Sequence, residues 1–328
     1  MRVWLLGAWL ATPCAVVVGC AGPGTEVANP VAALAAEATQ ANRIQASTGR
    51  TRVVLLGTGT PSAEPTRWGP ATAVVVDDSP YLVDFGPGVV RRAAAAYVNG
   101  VAGLAVQNLR IAFLTHLHSD HTVGYPDLIL SPWVLGRRAP LVVYGPPGIE
   151  AMSRAILEAY REDIRVRVEG AERLDPRGVR VDAHEIETNL GVIYEDDLVT
   201  VEAFAVPHGS WERAYGYKFT TVDRTVVISG DTGPFDGLVD IARDADVLVH
   251  EAYGSYGFYQ RHSGTQRYHG TFHTSASKVG EIAAKANVSM VVLYHQLHLG
   301  GESPEQLVEE VREQYDGPVV YGRDLDVF

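Results

Sequence analysis

The run Phe113-Leu-Thr-His-Leu-His-Ser-Asp-His121 places His116, His118, Asp120 and His121 within six residues. Neutral imidazole and carboxylate are ligands that suit zinc and similar divalent metals, and the cluster holds no thiolate. Its chemistry is therefore metal coordination. Histidines two residues apart converge where a strand end opens into a loop. The adjacent Asp120-His121 pair points to a second position at the start of the following helix. Four ligands in six residues exceed what one open catalytic zinc takes from one loop, so two metals are the natural reading. A polar surface loop rich in histidine is the alternative, which only the surrounding elements can decide.

Those elements must put the cluster at the edge of something rigid. Ile111 to Leu114 is an apolar run that reads as a buried strand emptying into the cluster. Before it, Val53 to Leu56 reads as a strand followed by Gly57-Thr-Gly-Thr60 and an irregular loop through Pro70. Ala73 to Val76 and Tyr81 to Phe85 form a hairpin pattern around Asp77-Asp-Ser-Pro80, and Gly86-Pro-Gly88 leads into a helix over Val89 to Val98. After the cluster come a helix around Asp127 to Gly136, a strand at Leu141 to Tyr144 and a helix over Ile149 to Glu162. The second half alternates again. Strands are expected at Val179 to Ile186, Val199 to Val206, Tyr215 to Thr220, Thr225 to Ser229, Val247 to His250 and Met290 to Tyr294. Helices are expected at Asp236 to Arg243, Ser275 to Ala286 and Pro304 to Glu313. Strands with helices between them in both halves imply an α/β fold of two sheets packed face to face and covered outside by helices.

Polar residues recur directly after the apolar strands. His208 follows Ala203-Phe-Ala-Val-Pro207, Asp231 follows Val226-Val-Ile-Ser-Gly230, and His295 follows Val291-Val-Leu-Tyr294. A lone histidine after a strand is an ordinary surface or core residue. Together with the cluster, in this order, these positions resemble the pattern of the metallo-β-lactamase superfamily of hydrolases, from about Thr51 to the end of the chain. The resemblance implies an αββα sandwich with a dinuclear zinc site between the sheets. Carried over, His116, His118 and His208 would hold one metal, Asp120, His121 and His295 the other, and Asp231 would bridge them. Zn2+ is the implied ion, although His and Asp ligands alone also accept Mn2+ or Fe2+. Such a pair lowers the pKa of water and stabilises both oxygens of an in-line displacement.

Further motifs are similar to the tRNase Z and phosphodiesterase branch of that superfamily. They are Leu55-Leu-Gly-Thr-Gly-Thr-Pro61, Leu82-Val-Asp-Phe-Gly86, Gly216-Tyr217 after His208, and Ser229-Gly-Asp-Thr232. Asp246-Val-Leu-Val-His-Glu-Ala252 with His273-Thr-Ser275 looks like the branch's paired motif. It implies that Glu251 orients His273, which protonates the leaving oxygen, so that Asp120, His273 and Glu251 carry the catalysis. A structural ion pair is the plain alternative for Glu251 and His273. Asp84 is expected to orient a ligand or its loop, and His250 to be structural.

The chain also departs from that branch. Its Lys-containing loop is here Pro61-Ser-Ala-Glu-Pro-Thr-Arg67, and the Arg-Tyr after the last ligand is Gln296-Leu-His-Leu-Gly300. Tyr144 to Gly170 leaves room for one helix and a short extension rather than a protruding RNA-gripping arm. The formal net charge of −12 does not suit a polyanionic partner, and Arg91-Arg92 and Arg137-Arg138 read as solvated pairs. A small phosphodiester is therefore the expected substrate, with tRNA disfavoured. An aryl sulfate, carboxylic ester or lactone hydrolase is the alternative, and a non-catalytic metal-dependent binding module a second one. A homodimer is compatible with related folds.

The Gly- and Tyr-rich segment Tyr253 to Thr271 reads as a long loop over the metal edge, carrying His262 and His269. Its Tyr253, Tyr256, Phe258 and Tyr259 either line a substrate pocket or anchor the loop. His184 and His298 show no partner and are expected to be exposed.

Residues 1–20 resemble an export signal. Arg2 precedes an apolar stretch from Val3 to Val18 that is interrupted by Thr12-Pro13, and the segment ends in the lipobox-like Val17-Val-Gly-Cys20. Cleavage before Cys20 would leave it lipidated, remove Cys14 and anchor an exported protein to a membrane. Residues 21–50, rich in Ala, Gly and Pro, read as a flexible tether, and 51–328 as the hydrolase domain. A plain signal peptide or single anchoring helix is the alternative. Mass spectrometry of protein from its native host is expected to find no peptide beginning at Met1; an intact one overturns the leader reading.

Overall fold

The computed structural model describes residues 50–187 and 190–328. The expected leader, Cys20 and nearly all of the expected tether lie outside the described residues. Strands β1 (Thr51–Gly57), β2 (Ala71–Val76), β3 (Ser79–Val83), β4 (Ile111–Phe113), β5 (Leu141–Gly145) and β6 (Val181–Glu185) form a six-stranded sheet in chain order. Strands β7 (Gly191–Glu195), β8 (Val199–Ala205), β9 (Tyr215–Thr221), β10 (Thr225–Ile228), β11 (Val247–Tyr253), β12 (Val291–Leu297) and β13 (Val319–Tyr321) form a seven-stranded one. Pairing is parallel from β3 to β6 and from β10 to β13. Parallel neighbours need crossovers, which the helices supply.

In the first half these helices are α1 (Val89–Val98), the one-turn α2 (Ser119–Thr122), α3 (Tyr125–Val134), α4 (Ile149–Ala159) and α5 (Arg161–Glu169). The second half carries α6 (Leu238–Ile241), α7 (Ser255–Gln260), α8 (Ser263–Phe272), α9 (Ala276–Ala286) and α10 (Pro304–Arg312). None of the described helices is long and apolar enough to cross a membrane.

The side chains sort into layers because successive residues of a strand face opposite ways. Val53 and Leu55 of β1 enter the core between the sheets with Phe113, Phe219, Val226 and Val292. Val54 and Leu56 of the same strand face the other way, onto a core shared with α1, α3 and α4. The outer face of the second sheet packs Val227, Leu248 and Leu293 against Val279 and Ile282 of α9 and Leu307 of α10. The result is the expected αββα sandwich. Each strand that precedes a candidate ligand is buried, so its end cannot drift, and all of these strands run toward one edge.

Several elements differ from the sequence reading. The segment 253–271 is not a loop but the two helices α7 and α8. The helix expected over Ile149 to Glu162 is a pair that breaks at Tyr160, so Tyr144 to Gly170 holds two helices rather than one. Edge strands β7 and β13 were not anticipated, and the helix expected over Asp236 to Arg243 shrinks to one turn. His298 is not left to solvent, since its ring nitrogens meet the Glu302 carbonyl and the Tyr321 hydroxyl. His184 stacks on Tyr144 with ring centroids 4.7 Å apart.

Arg91 is exposed as expected, but Arg137 is buried. Its guanidinium donates to the carbonyls of Leu109, Leu128, Ile129 and Gly178 at 2.6–3.3 Å. Burial lowers its pKa to about 10, so it stays charged at neutral pH. It gathers carbonyls from within α3 (Leu128 and Ile129), from before β4 (Leu109) and from before β6 (Gly178) in one place, where a neutral side chain would leave them without this donor. Arg137→Leu is expected to lower the unfolding free energy by about 3 kcal/mol in urea titrations. A change below about 1 kcal/mol would show that the carbonyls find other partners.

Candidate metal centre

The centre begins where β3 and β4 end side by side. Asp84, directly after β3, has a left-handed backbone (φ 62°) and a buried carboxylate. That carboxylate accepts from the Thr115 backbone N–H at 2.8 Å and from the Thr115 hydroxyl at 2.9 Å. It also accepts from Nδ1 of His121 at 2.8 Å, which turns Nε2 of His121 inward. Thr115 Oγ lies 3.0 Å from Nδ1 of His116, so the lone pair of His116 Nε2 also points inward. Asp84 thus touches His121 directly and reaches His116 through Thr115.

The imidazoles then converge. His116 Nε2 is 2.8 Å from Nδ1 of His118, and His208 Nε2 is 3.2 Å from that same Nδ1. His208 is held from behind by donating its Nδ1–H to the Phe272 carbonyl at 2.8 Å. Nearby, Asp120 Oδ2 lies 3.5 Å from His121 Nε2 and 3.3 Å from His295 Nε2. The Asp231 carboxylate sits between the two groups, 4.0 Å from His116 Nε2 and 3.4 Å from both His121 and His295 Nε2. The structure therefore brings together every ligand position read from the sequence, in the two groups that were expected, with Asp231 common to them.

Such a concentration of buried donors is costly without a cation. Burial drives the His116 pKa well below its ordinary value and that of His208 to about 4, so both are neutral with lone pairs available. Burial would raise the Asp231 pKa, but His295 and His121 outweigh it and hold the carboxyl well below the usual range. Among the described residues, His121 Nε2, His295 Nδ1 and Asp231 Oδ1 are buried without a hydrogen-bond partner. Groups of four (His116, His118, His208, Asp231) and three (Asp120, His121, His295) offer ligand atoms within 4.8 Å of one another. This donor set fits divalent metal ions.

Glu251 and His273 stand beside it. Glu251 is buried in β11, accepts from the Thr274 N–H at 2.8 Å and holds Oε2 3.4 Å from Nδ1 of His273. The two atoms face each other at ion-pair distance without a regular hydrogen bond, and neither has any other partner. The His273 ring lies parallel to His295 at 5.8 Å, at the end of α8. Burial lowers and the Glu251 carboxylate more than restores its pKa, which ends above the ordinary value. His250 is buried with Nδ1 turned to the Glu251 carbonyl, a structural role.

Three contributors were not read from the sequence. Trp211 donates its indole N–H to Nε2 of His118 at 2.7 Å. Phe272 packs edge-on against His208 at 5.0 Å. Arg67 donates to the backbone carbonyl and side-chain oxygen of Gln296, next to His295, and to the Thr58 carbonyl. Nearness to a ligand was the available signal, since Trp211 lies three residues after His208 and Phe272 directly before His273. Of the aromatics expected either to line a pocket or to anchor their segment, Tyr253 stacks on Phe258 at 4.7 Å and Phe258 meets Tyr259, which anchors α7. On the other side of the centre, a cleft of about 390 Å³ opens beside Asp120, lined by Ser62, Glu64, Arg67, Trp68 and Ser119.

Asp84→Asn keeps the size and tolerates the left-handed backbone, but turns an amide N–H toward one of three donors. Zinc affinity, read by chelator competition, is expected to fall about 10- to 100-fold. Unchanged affinity would show that Asp84 serves only its loop.

Residues 80–296 match the family model described as the beta-lactamase superfamily domain. The ribonuclease Z of Mycobacterium bovis (strain BCG / Pasteur 1173P2) is 33% identical over 278 residues, which is 83% of this chain and 96% of that protein. The ribonuclease Z of Mycobacterium sp. (strain KMS) is 36% identical over 248 residues, 75% of this chain and 84% of its own. Among solved structures, human short-form tRNase Z superposes with a TM-score of 0.63 at 21% identity, covering 84% of this chain and 98% of that one. The metallo-beta-lactamase fold protein YhfI from Bacillus subtilis does so at 0.63 and 19%, covering 85% and 98%. These neighbours share the fold, and the sequence relatives share most of their length with a chain whose buried His and Asp cluster fits metal. The chain belongs to the metallo-β-lactamase superfamily, near its ribonuclease Z branch, and is a metal-dependent hydrolase.

Proposed function

We propose that the protein is a dinuclear zinc phosphodiesterase of the ribonuclease Z type. The observation that carries this is the Glu251–His273 pair, with Oε2 3.4 Å from Nδ1, placed against His295. In this reading His116, His118 and His208 hold one ion, Asp120, His121 and His295 the other, and Asp231 serves both. Bound there, the ions would supply Lewis acidity and lower the pKa of a water toward neutrality. The residues do the rest. The Glu251 carboxylate faces Nδ1–H of His273 and its charge favours the protonated ring, which leaves Nε2–H to protonate the departing oxygen. Phosphodiester cleavage expels an alkoxide, so a positioned acid is what the reaction needs.

The similarity to ribonuclease Z proteins leans toward RNA and against the small-molecule substrate expected from the sequence. RNA is therefore the first substrate class to test, with a small phosphodiester second and an aryl sulfate third. The export reading rests on residues 1–20 alone and places the reaction outside the cytoplasm.

The test uses zinc-loaded protein on a precursor tRNA with a 3′ trailer, bis-(p-nitrophenyl) phosphate and p-nitrophenyl sulfate. Diester turnover is expected, with His273→Ala losing about 10²–10⁴-fold in rate while still binding zinc. Turnover of the sulfate alone, or an unimpaired His273→Ala enzyme, overturns the proposal.

A further inference from the structure

Helix α8 carries a column of aromatic rings from the surface to the centre. Tyr268 and Phe272, four residues apart, share one face of the helix, and their rings stack at 4.3 Å with 23° between planes. Phe272 in turn lies nearly parallel to His118, at 6.5 Å and 20°. Trp211 stands perpendicular to that same imidazole at 5.0 Å.

The inner end of the column is tightly held. The Phe272 carbonyl is the acceptor that orients His208. Its ring occupies the space left by Gly209, where a Cβ would sit 2.1 Å from the ring on a backbone with φ 54°. The outer end is open, because Tyr268 is 47% exposed. It is nevertheless tied to the centre, one ring removed from His118 through Phe272. Burial, then the charges of Asp231 and Asp120, raise the pKa of its phenol. The column through Tyr253, Phe258 and Tyr259 differs, since it packs α7 against β11.

A half-exposed ring at the end of a fixed stack, beside a hydrolytic centre, suits a flat π-system, because stacking rewards planar area and asks for no hydrogen-bond pattern. We propose that Tyr268 is a specificity-determining residue: its free face, backed by Phe272, stacks the aromatic group adjoining the scissile phosphodiester, whether a nucleobase or an aryl ester group. This rests on the phosphodiesterase reading above.

The experiment compares zinc-loaded wild type, Tyr268→Ala and Tyr268→Phe on a diribonucleotide, its analogues with either base removed, and bis-(p-nitrophenyl) phosphate. Tyr268→Ala is expected to lose about tenfold in kcat/KM on the base-bearing diribonucleotide, chiefly through KM. Its loss on one of the abasic analogues should be several-fold smaller, and Tyr268→Phe should restore the wild-type value. A parallel loss on bis-(p-nitrophenyl) phosphate extends the platform to aryl esters, and a loss confined to the diribonucleotide assigns it to nucleobases. Equal losses on base-bearing and abasic substrates, or no rescue by phenylalanine, overturn the proposal. If wild type cleaves none of these diesters, the phosphodiesterase reading is what fails. Calorimetric titration with adenosine 5′-monophosphate and ribose 5-phosphate then decides the platform. Tighter binding of the nucleotide that Tyr268→Ala abolishes supports it, and equal binding of the two by wild type overturns it.

Discussion

The carboxylate of Asp84 is the interaction on which the centre depends. It is a buried anion that spends its acceptor capacity on Thr115 and His121, and through the Thr115 hydroxyl it reaches His116. One group thereby sets the tautomer of two imidazoles that belong to different halves of the centre. Its left-handed backbone is sparsely populated for a non-glycine residue, and such conformations persist where the surroundings over-determine them. Here the over-determination is visible as the set of donors converging on Asp84 from the end of the neighbouring strand.

The sandwich makes that convergence possible. Three separate apolar cores hold the sheets and helices in register, so the strand ends form a rigid rim. Rigidity matters because the rim crowds imidazoles and carboxylates into a space from which water is largely excluded. A softer scaffold would relieve that crowding by letting side chains swing out to solvent. The second sheet shows the accommodation locally. His295 sits at φ 44°, and the β11–β12 register shifts just after Glu251, so ligand and carboxylate leave a regular ladder at the same point.

The ligands were legible in the sequence because each follows an apolar strand, and strand burial is a strong periodic signal. The helices α7 and α8 were not. Gly257, Gly264 and Gly270 weaken intrinsic helicity, and the segment is instead ordered by contacts from afar. Glu302 accepts from the backbone N–H groups of Gly257 and Gly300, whose main chains approach too closely for side chains. Arg137 misled for a related reason: a guanidinium usually signals surface, and only the arrangement of carbonyls around it permits burial. The edge strand β7 has no fully buried residue, and β13 spans only Val319–Tyr321, so neither presents the long buried apolar run that marks a central strand.

Two of the departures from the tRNase Z pattern looked independent along the chain, one in the loop after β1 and one directly after His295. In space they are a single contact. Arg67 bridges the Gln296 side chain and backbone to the Thr58 carbonyl, while the Gln296 amide donates onward to the carbonyls of Leu293 and Gly322. An arginine in place of Gln296 would meet the Arg67 guanidinium head-on in a poorly hydrated corner, where like charges repel strongly. The loop and the residue after His295 are thus one exchangeable unit, and a lineage passing between the two arrangements has to change both ends of the bridge.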